Sequence, residues 1–203
     1  MKKFWFKWFA DKDAKNIAEV LVRGGIVVMP TDTTYGIVGS ALSATVVNEI
    51  YRLRKRDLDK PFIILIADRK DLKQFGVRPT AVQEKILDKV WFTRPERAGE
   101  AGGPGPTSVI LPCLSEKFAY LHRGGNSLAF RLPAKRELRS ILRYVGPLVA
   151  PSANPQGHPV AKTIAEARAY FGNHVDFYQD GGTVAASPSR LIDITDGTEK
   201  ILR

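Results

Sequence analysis

Short apolar runs bounded by glycine and proline alternate along this chain with segments whose apolar positions recur at helical spacing. Ile26, Val27, Val28 and Met29 run between Gly25 and Pro30 and predict a buried strand. Pro30 is expected to end it, because proline offers no N–H to a neighbouring strand. The run from Phe62 to Ala67 is too short and too β-branched for a helix and predicts a second buried strand. Further strands are predicted over 108–111, 128–132, 148–150 and 191–194. Ile17, Val20 and Leu21 give the stripe of a helix over 13–23, with Asp13 as its cap and Gly24 as its stop. Val46, Val47, Ile50 and Leu53 give another, capped by Ser43. A third opens at Thr80 with capping-box spacing to Gln83, a fourth covers 135–144, and a fifth starts at Thr163 with Glu166 completing a capping box.

This order predicts an α/β fold: a single domain over 13–203, with a sheet that has at least some parallel pairing. No linker divides it. Residues 1–12 form an aromatic N-terminal segment, read as an edge strand or a flap, and 93–106 reads as a long flexible loop of the kind that is functional or disordered.

What the pattern leaves over is polar and sits at element ends. Thr31, Asp32, Thr33, Thr34 and Tyr35 follow the first strand, and Ser152, Ala153 and Asn154 follow another. Two readings of the first stretch stand open: a turn that bonds its own backbone, and a loop that offers hydrogen bonds to a small polar ligand. Basic residues cluster at Arg52, Arg54, Lys55 and Arg56, and again at Lys135, Arg136, Arg139 and Arg143, the latter spaced like a solvated helix face.

Net charge shifts the picture toward anionic partners. The 203 residues carry +10, which favours nucleotides, RNA or both. No apolar run is long enough to span a bilayer, so a cytoplasmic location without stable membrane association is expected. Cys113, the single cysteine, lies in an apolar run and is read as inert core, and His122, His158 and His174 lack metal-ligand spacing. Neither G-x-x-x-x-G-K-[ST] nor a strand-linked G-x-G-x-x-G occurs, so any phosphate site is built from side chains. Arginine and lysine near strand ends suit phosphates and a carboxylate.

The order of these segments resembles the YrdC/Sua5 family. Pro30-Thr31-Asp32-Thr33-Thr34-Tyr35-Gly36 is similar to its P-T-[ED]-T-x-Y-G, and Arg56 with Pro61 to its K-x-R and following proline segment. Pro104-Gly105-Pro106, Ala129-Phe130-Arg131-Leu132-Pro133, Ala150-Pro151-Ser152-Ala153-Asn154, Asp180-Gly181-Gly182, Pro188-Ser189 with Ile192-Asp193, and the closing Ile201-Leu202-Arg203 continue the match in order.

The resemblance implies the short, single-domain type of threonylcarbamoyl-adenylate synthase, with an open twisted sheet of mixed parallel and antiparallel strands flanked by helices and a concave basic cleft. Such an enzyme condenses L-threonine, bicarbonate and ATP, with Mg2+, into threonylcarbamoyl-AMP and pyrophosphate, the first step of the tRNA t6A modification. It further implies Thr33, Arg131, Ser152 and Ser189 on the threonine side, and Arg56, Lys60, Ser127, Asn154 and Arg203 on ATP. Arg54, Arg56 and Lys60 would stabilise the reacting phosphate. The expected partners are tRNA or double-stranded RNA and the downstream threonylcarbamoyl-transferase machinery. Leu65, Gln156 and Arg190 depart from the family pattern near the amino-acid side. Two other readings are a non-catalytic RNA-binding protein of this fold, and the same adenylation of a different amino acid.

Overall fold

The computed structural model describes residues 12–91, 106–185 and 187–203, so the aromatic start and nearly all of the 93–106 segment lie outside the described residues. The first helix, α1 (Lys12–Val22), buries Ile17, Ala18 and Leu21. Asp13 lies within its first turn rather than at the cap, where its charge still suits the helix dipole. β1 (Val27–Pro30) and β2 (Tyr35–Ser40) then pair antiparallel, Val27 opposite Val38 and Pro30 opposite Tyr35. Pro30 is therefore the last residue of its strand. The polar stretch is the turn of a hairpin, and a strand follows that the apolar pattern did not announce. Its apolar pair, Ile37 and Val38, stands between Gly36 and Gly39, too short a run to read as a strand. Gly39 is there because helix α2 (Ala44–Arg54) lies on it: a Cβ would fall 2.4 Å from Val46 Cγ1.

Ser43 caps α2, accepting from the Val46 N–H, and Lys55 closes it with φ 47°. β3 (Ile63–Leu65) leads through a 3-10 turn (Arg69–Phe75) to α3 (Ala81–Val90), whose Thr80–Gln83 capping box forms in both directions. β4 (Thr107–Pro112), the short α4 (Ala119–His122), β5 (Ser127–Arg131), α5 (Arg136–Val145) and β6 (Leu148–Val149) follow. In α6 (Ile164–Phe171) Thr163 caps as expected, but the Glu166 carboxylate accepts from the Lys162 N–H, one residue outside the box. β7 (Phe177–Tyr178), β8 (Arg190–Asp193) and β9 (Lys200–Ile201) complete the described chain.

The strands form one sheet in the order β7-β1-β2-β6-β3-β5-β4-β8-β9. β1–β7, β3–β5 and β4–β8 are parallel and the other neighbours antiparallel, the mixture that was expected. β7 and β9, two residues each, carried no pattern of their own.

Strand alternation splits the core in two. Val28, Ile37, Ile64 and Phe130 point to α2, α3 and α6, while Val27, Met29, Val38, Leu65 and Leu148 point to α1 and α5. The α1–α5 pair covers only part of its face. The uncovered remainder, over β3, β5, β4 and β8, is floored by Ile63, Ala129, Ile110 and Leu191, and there the cleft lies.

Cys113 is buried, its thiol donates to the Phe75 carbonyl at 3.3 Å, and burial pushes its pKa up. A thiol reagent should leave the native protein unmodified at neutral pH and react once denaturant is added. Gly39→Ala should cost about 1–3 kcal/mol through overpacking against Val46, read as a lower urea midpoint at unchanged slope.

Candidate active site

The cleft is a cavity of about 710 Å3 whose walls come from the β1–β2 turn, the end of α2 with the following loop, the α4–β5 connection, the loop after β6 and the approach to β8. The turn does both things its sequence allowed. Thr31 Oγ1 donates to the Thr34 carbonyl at 2.8 Å and accepts from the Thr33 N–H at 3.2 Å, so Thr31 closes the turn on itself. Thr33 and Thr34 are thereby left in the cleft wall. The Tyr35 hydroxyl anchors the turn from behind, donating to the Gly182 carbonyl and accepting from the Gly181 N–H, both at 2.8 Å. Backbone bonds from Ile37 N to Pro151 O (3.0 Å) and Ala153 N to Tyr35 O (2.8 Å) zip the hairpin to the loop after β6.

Arg131, at the end of β5, lies beside this turn with 4% of its side chain exposed. Its Nη2 is 2.9 Å from Asp32 Oδ1, and the Asp32 side chain is only 6% exposed. Burial pulls the Arg131 pKa down and Asp32 opposes that shift. The ion pair explains how a guanidinium is held out of water in the cleft wall. Ser108, opposite Arg131 on β4, is fully buried and shares a 2.9 Å hydrogen bond with Ser189.

Arg54 is the second buried cation. Its Nε donates to the Asn154 carbonyl at 2.8 Å, and its Nη2 donates to Asn154 Oδ1 at 3.0 Å and Ser152 Oγ at 3.3 Å. Burial, and then the neighbouring Arg56, pull its pKa down to about 10, so it is still a cation at neutral pH. Asn154 spends its amide on the Pro155 and His158 carbonyls and its carbonyl on Ser152 and Arg54. It is a strut beneath the cleft and does not line it.

The mouth is more exposed. Arg56 donates from Nε to the Lys60 carbonyl at 2.9 Å and lies 5.5 Å over the Phe62 ring. Phe62 stacks on Tyr51 with centroids 4.0 Å apart, and the Arg123 guanidinium covers the other side of Tyr51 at 4.4 Å. This cation–ring–ring–cation stack fixes Arg56 and Arg123 along one wall. Lys60 pairs with Asp57, whose N–H and carboxylate are both held by the Gln156 amide, at 3.0 and 2.7 Å.

Thr33, Arg54, Arg56, Lys60, Ser127, Arg131, Ser152, Ser189 and Arg203 all line one cavity. Of the three departures, none adds a group to the cleft. Leu65 is fully buried in the core beside Arg131, Gln156 latches the loop bearing Arg56, and the Arg190 guanidinium turns toward Glu199 at 3.7 Å. Sequence reasoning missed Asp32 as the partner of Arg131, Ser108 as the partner of Ser189, and the lining residues Asp59, His122 and Arg123. The only signal for the last two was their place before Gly124-Gly125 and the strand carrying Ser127. Among the described residues no three His, Cys, Asp or Glu side chains converge as a metal cage.

An open mixed α/β sheet with a hydroxyl-lined, arginine-rich cleft on its half-covered face defines a protein that binds a small anionic ligand. The family model described as "Telomere recombination", Sua5/YciO/YrdC, matches residues 19–203, and the chain belongs to this family. A threonylcarbamoyl-AMP synthase of Thiobacillus denitrificans is 32% identical over 185 residues, 90% of each chain. One of Idiomarina loihiensis is 29% identical over 183 residues, 89% of this chain and 93% of its own. The crystal structure of P. abyssi Sua5 complexed with L-threonine superposes with a TM-score of 0.79 at 27% identity, over 94% of this chain and 53% of that one. The chain thus spans about half the length of that protein. E. coli YciO, at 20% identity and a TM-score of 0.77, shares the fold.

Arg54→Ala should lower stability by about 2–4 kcal/mol, because the acceptors on Asn154 and Ser152 lose a charged donor. Arg54→Lys should recover only part of this, since an ammonium cannot reproduce the fork. Urea titration of the three proteins checks both.

Proposed function

We propose that this chain is a threonylcarbamoyl-AMP synthase, with the amino acid at the Arg131 end of the cleft and the nucleoside at the Ser127 end. The observation that carries the arrangement is the line of cleft residues along β5. Ser127, Ala129 and Arg131 all face the cavity, and the four strand steps from Ser127 to Arg131 span about 13 Å. Arg54, Arg56 and Lys60 border the same cavity, where a phosphate chain would join the two ends.

The chemistry then follows from position and charge. The threonine carboxylate meets the Arg131 fork, and Thr33, Ser152 and Ser189 offer hydroxyls to the rest of the amino acid. The neutral threonine amine attacks CO2 derived from bicarbonate and loses a proton, forming a carbamate. A carbamate oxygen attacks the α-phosphate of ATP, the bond to the β-phosphate oxygen breaks, and pyrophosphate leaves. No enzyme nucleophile is needed. Charge building on the phosphate in the transition state is met by Arg54, already fixed by its hydrogen bonds, and by Arg56 and Lys60 at the mouth. Lys60 must exchange Asp57 for phosphate to take part. Arg203 and Ser127 complete the nucleotide side, with Asn154 acting through Arg54 and Ser152.

Mg2+ would travel with the triphosphate, whose phosphate oxygens supply most of its ligands. The product is a reactive mixed anhydride, so a threonylcarbamoyl transferase acting on tRNA is its natural consumer. No helix among the described residues is long and apolar enough to cross a membrane.

Purified protein with ATP, Mg2+, bicarbonate and threonine should yield pyrophosphate and threonylcarbamoyl-AMP by mass spectrometry; absence of both under all conditions overturns the reading. Arg131→Lys keeps a cation against Asp32 but removes the fork. It should raise the threonine KM about 10- to 100-fold while moving the ATP KM far less. Serine, lacking one methyl, should be used about 10- to 200-fold less efficiently than threonine.

A further inference from the structure

We infer that His122 is a nucleotide-binding residue, donating a hydrogen bond from Nε2–H to an acceptor on the nucleoside; the inference rests on the placement of ATP above. His122 ends α4 and lines the cleft that Ser127 also lines, five residues on, yet the residue is only 3% exposed. The chain reverses tightly after it, with φ of 51° at Arg123, 86° at Gly124 and 50° at Asn126. Asn126 adopts the left-handed region readily, whereas Arg123 is held there as the residue that closes α4.

The reversal brings the Gly124 N–H back onto His122 Nδ1 at 3.2 Å, and the Gly125 N–H onto the His122 carbonyl at 2.8 Å. Because Nδ1 accepts, the neutral ring carries its proton on Nε2. That Nε2 is buried and has no acceptor among the described residues.

Beside it, Arg123 Nε is also buried without an acceptor, although its Nη2 donates to Asn48 Oδ1 at 2.7 Å and its plane is fixed over Tyr51. Two rigidly held donors thus stand without acceptors on residues that line the cleft. Buried donors are nearly always paired. The unpaired Nε atoms of Arg69 and Arg190 lie off the cleft, whereas His122 and Arg123 line it, so their missing partner is assigned to the ligand. Phosphates belong with Arg54, Arg56 and Lys60, which leaves the ring nitrogens and ribose hydroxyls as acceptors for His122.

The test compares wild type, His122→Phe and His122→Gln, each checked for fold by circular dichroism and thermal midpoint. Phe keeps the bulk and removes the donor, and Gln restores an N–H. ATP affinity is read by calorimetry, with 1-deaza-, 3-deaza-, 7-deaza- and 2′-deoxy-ATP as probes of single acceptors. His122→Phe should weaken ATP about tenfold with the threonine KM unchanged, and His122→Gln should recover part of the loss. One analogue should cost wild type a similar factor and cost His122→Phe nothing, which identifies the acceptor as ring nitrogen or ribose. A folded His122→Phe that binds ATP like wild type overturns the inference, as does an equal cost of every analogue in both proteins. Failure of wild type itself to bind ATP would instead overturn the placement of the nucleotide.

Discussion

Two guanidinium groups, Arg54 and Arg131, stand almost wholly out of water on the walls of one cleft, and much of the local structure exists to make that tolerable. A buried cation is stable only when fully hydrogen-bonded or paired. Arg131 is paired with Asp32, which requires the β1–β2 turn to hold that carboxylate inward. Arg54 is held by three acceptors on Ser152 and Asn154, which requires the loop after β6 to present its backbone and side chains to the end of α2. The hairpin and the loop are in turn bonded to each other. Positive charge is thereby fixed before any anion arrives, so little reorganisation is left for the binding or reaction step.

The two cations are stabilised differently, and that separates their uses. Arg54 has given Nε and Nη2 to the protein and acts as a fixed charge. Arg131 makes a single ion pair and keeps other donor positions, so it can meet a carboxylate while Asp32 stays behind it. Arg56 and Lys60 occupy the exposed mouth, held by the aromatic stack and by Asp57. The result is a gradient from dry, paired or hydrogen-bonded charge inside to more solvent-exposed charge at the entrance.

Leu65, Gln156 and Arg190, three of the positions that depart from the family pattern, show how a sequence comparison can point to the right place for the wrong reason. Leu65 packs in the core, Gln156 clamps Asp57, and Arg190 turns to Glu199. Each lies within a few residues of a cleft-lining group in the chain, yet none lines the cleft. Proximity in sequence carried the expectation, but strand alternation and the direction of a side chain decided the outcome.

Much of the fold was legible because local signals agree: apolar runs with breakers, the caps at Ser43, Thr80 and Thr163, and glycine stops. β2, β7 and β9 were not, since their stability comes from neighbours and not from their own pattern. For the site, hydroxyl and arginine types at element ends marked the lining residues, and the ordered motifs tied them together. Sequence by itself determined which residues are chemically able to hold a carboxylate and phosphates. Only the tertiary structure decided that Asn154 is a strut, that Asp32 is the counter-charge of Arg131, and that Ser108 is the partner of Ser189. Those facts depend on contacts between segments up to a hundred residues apart, whose geometry is set by sheet order and register, which no local pattern encodes.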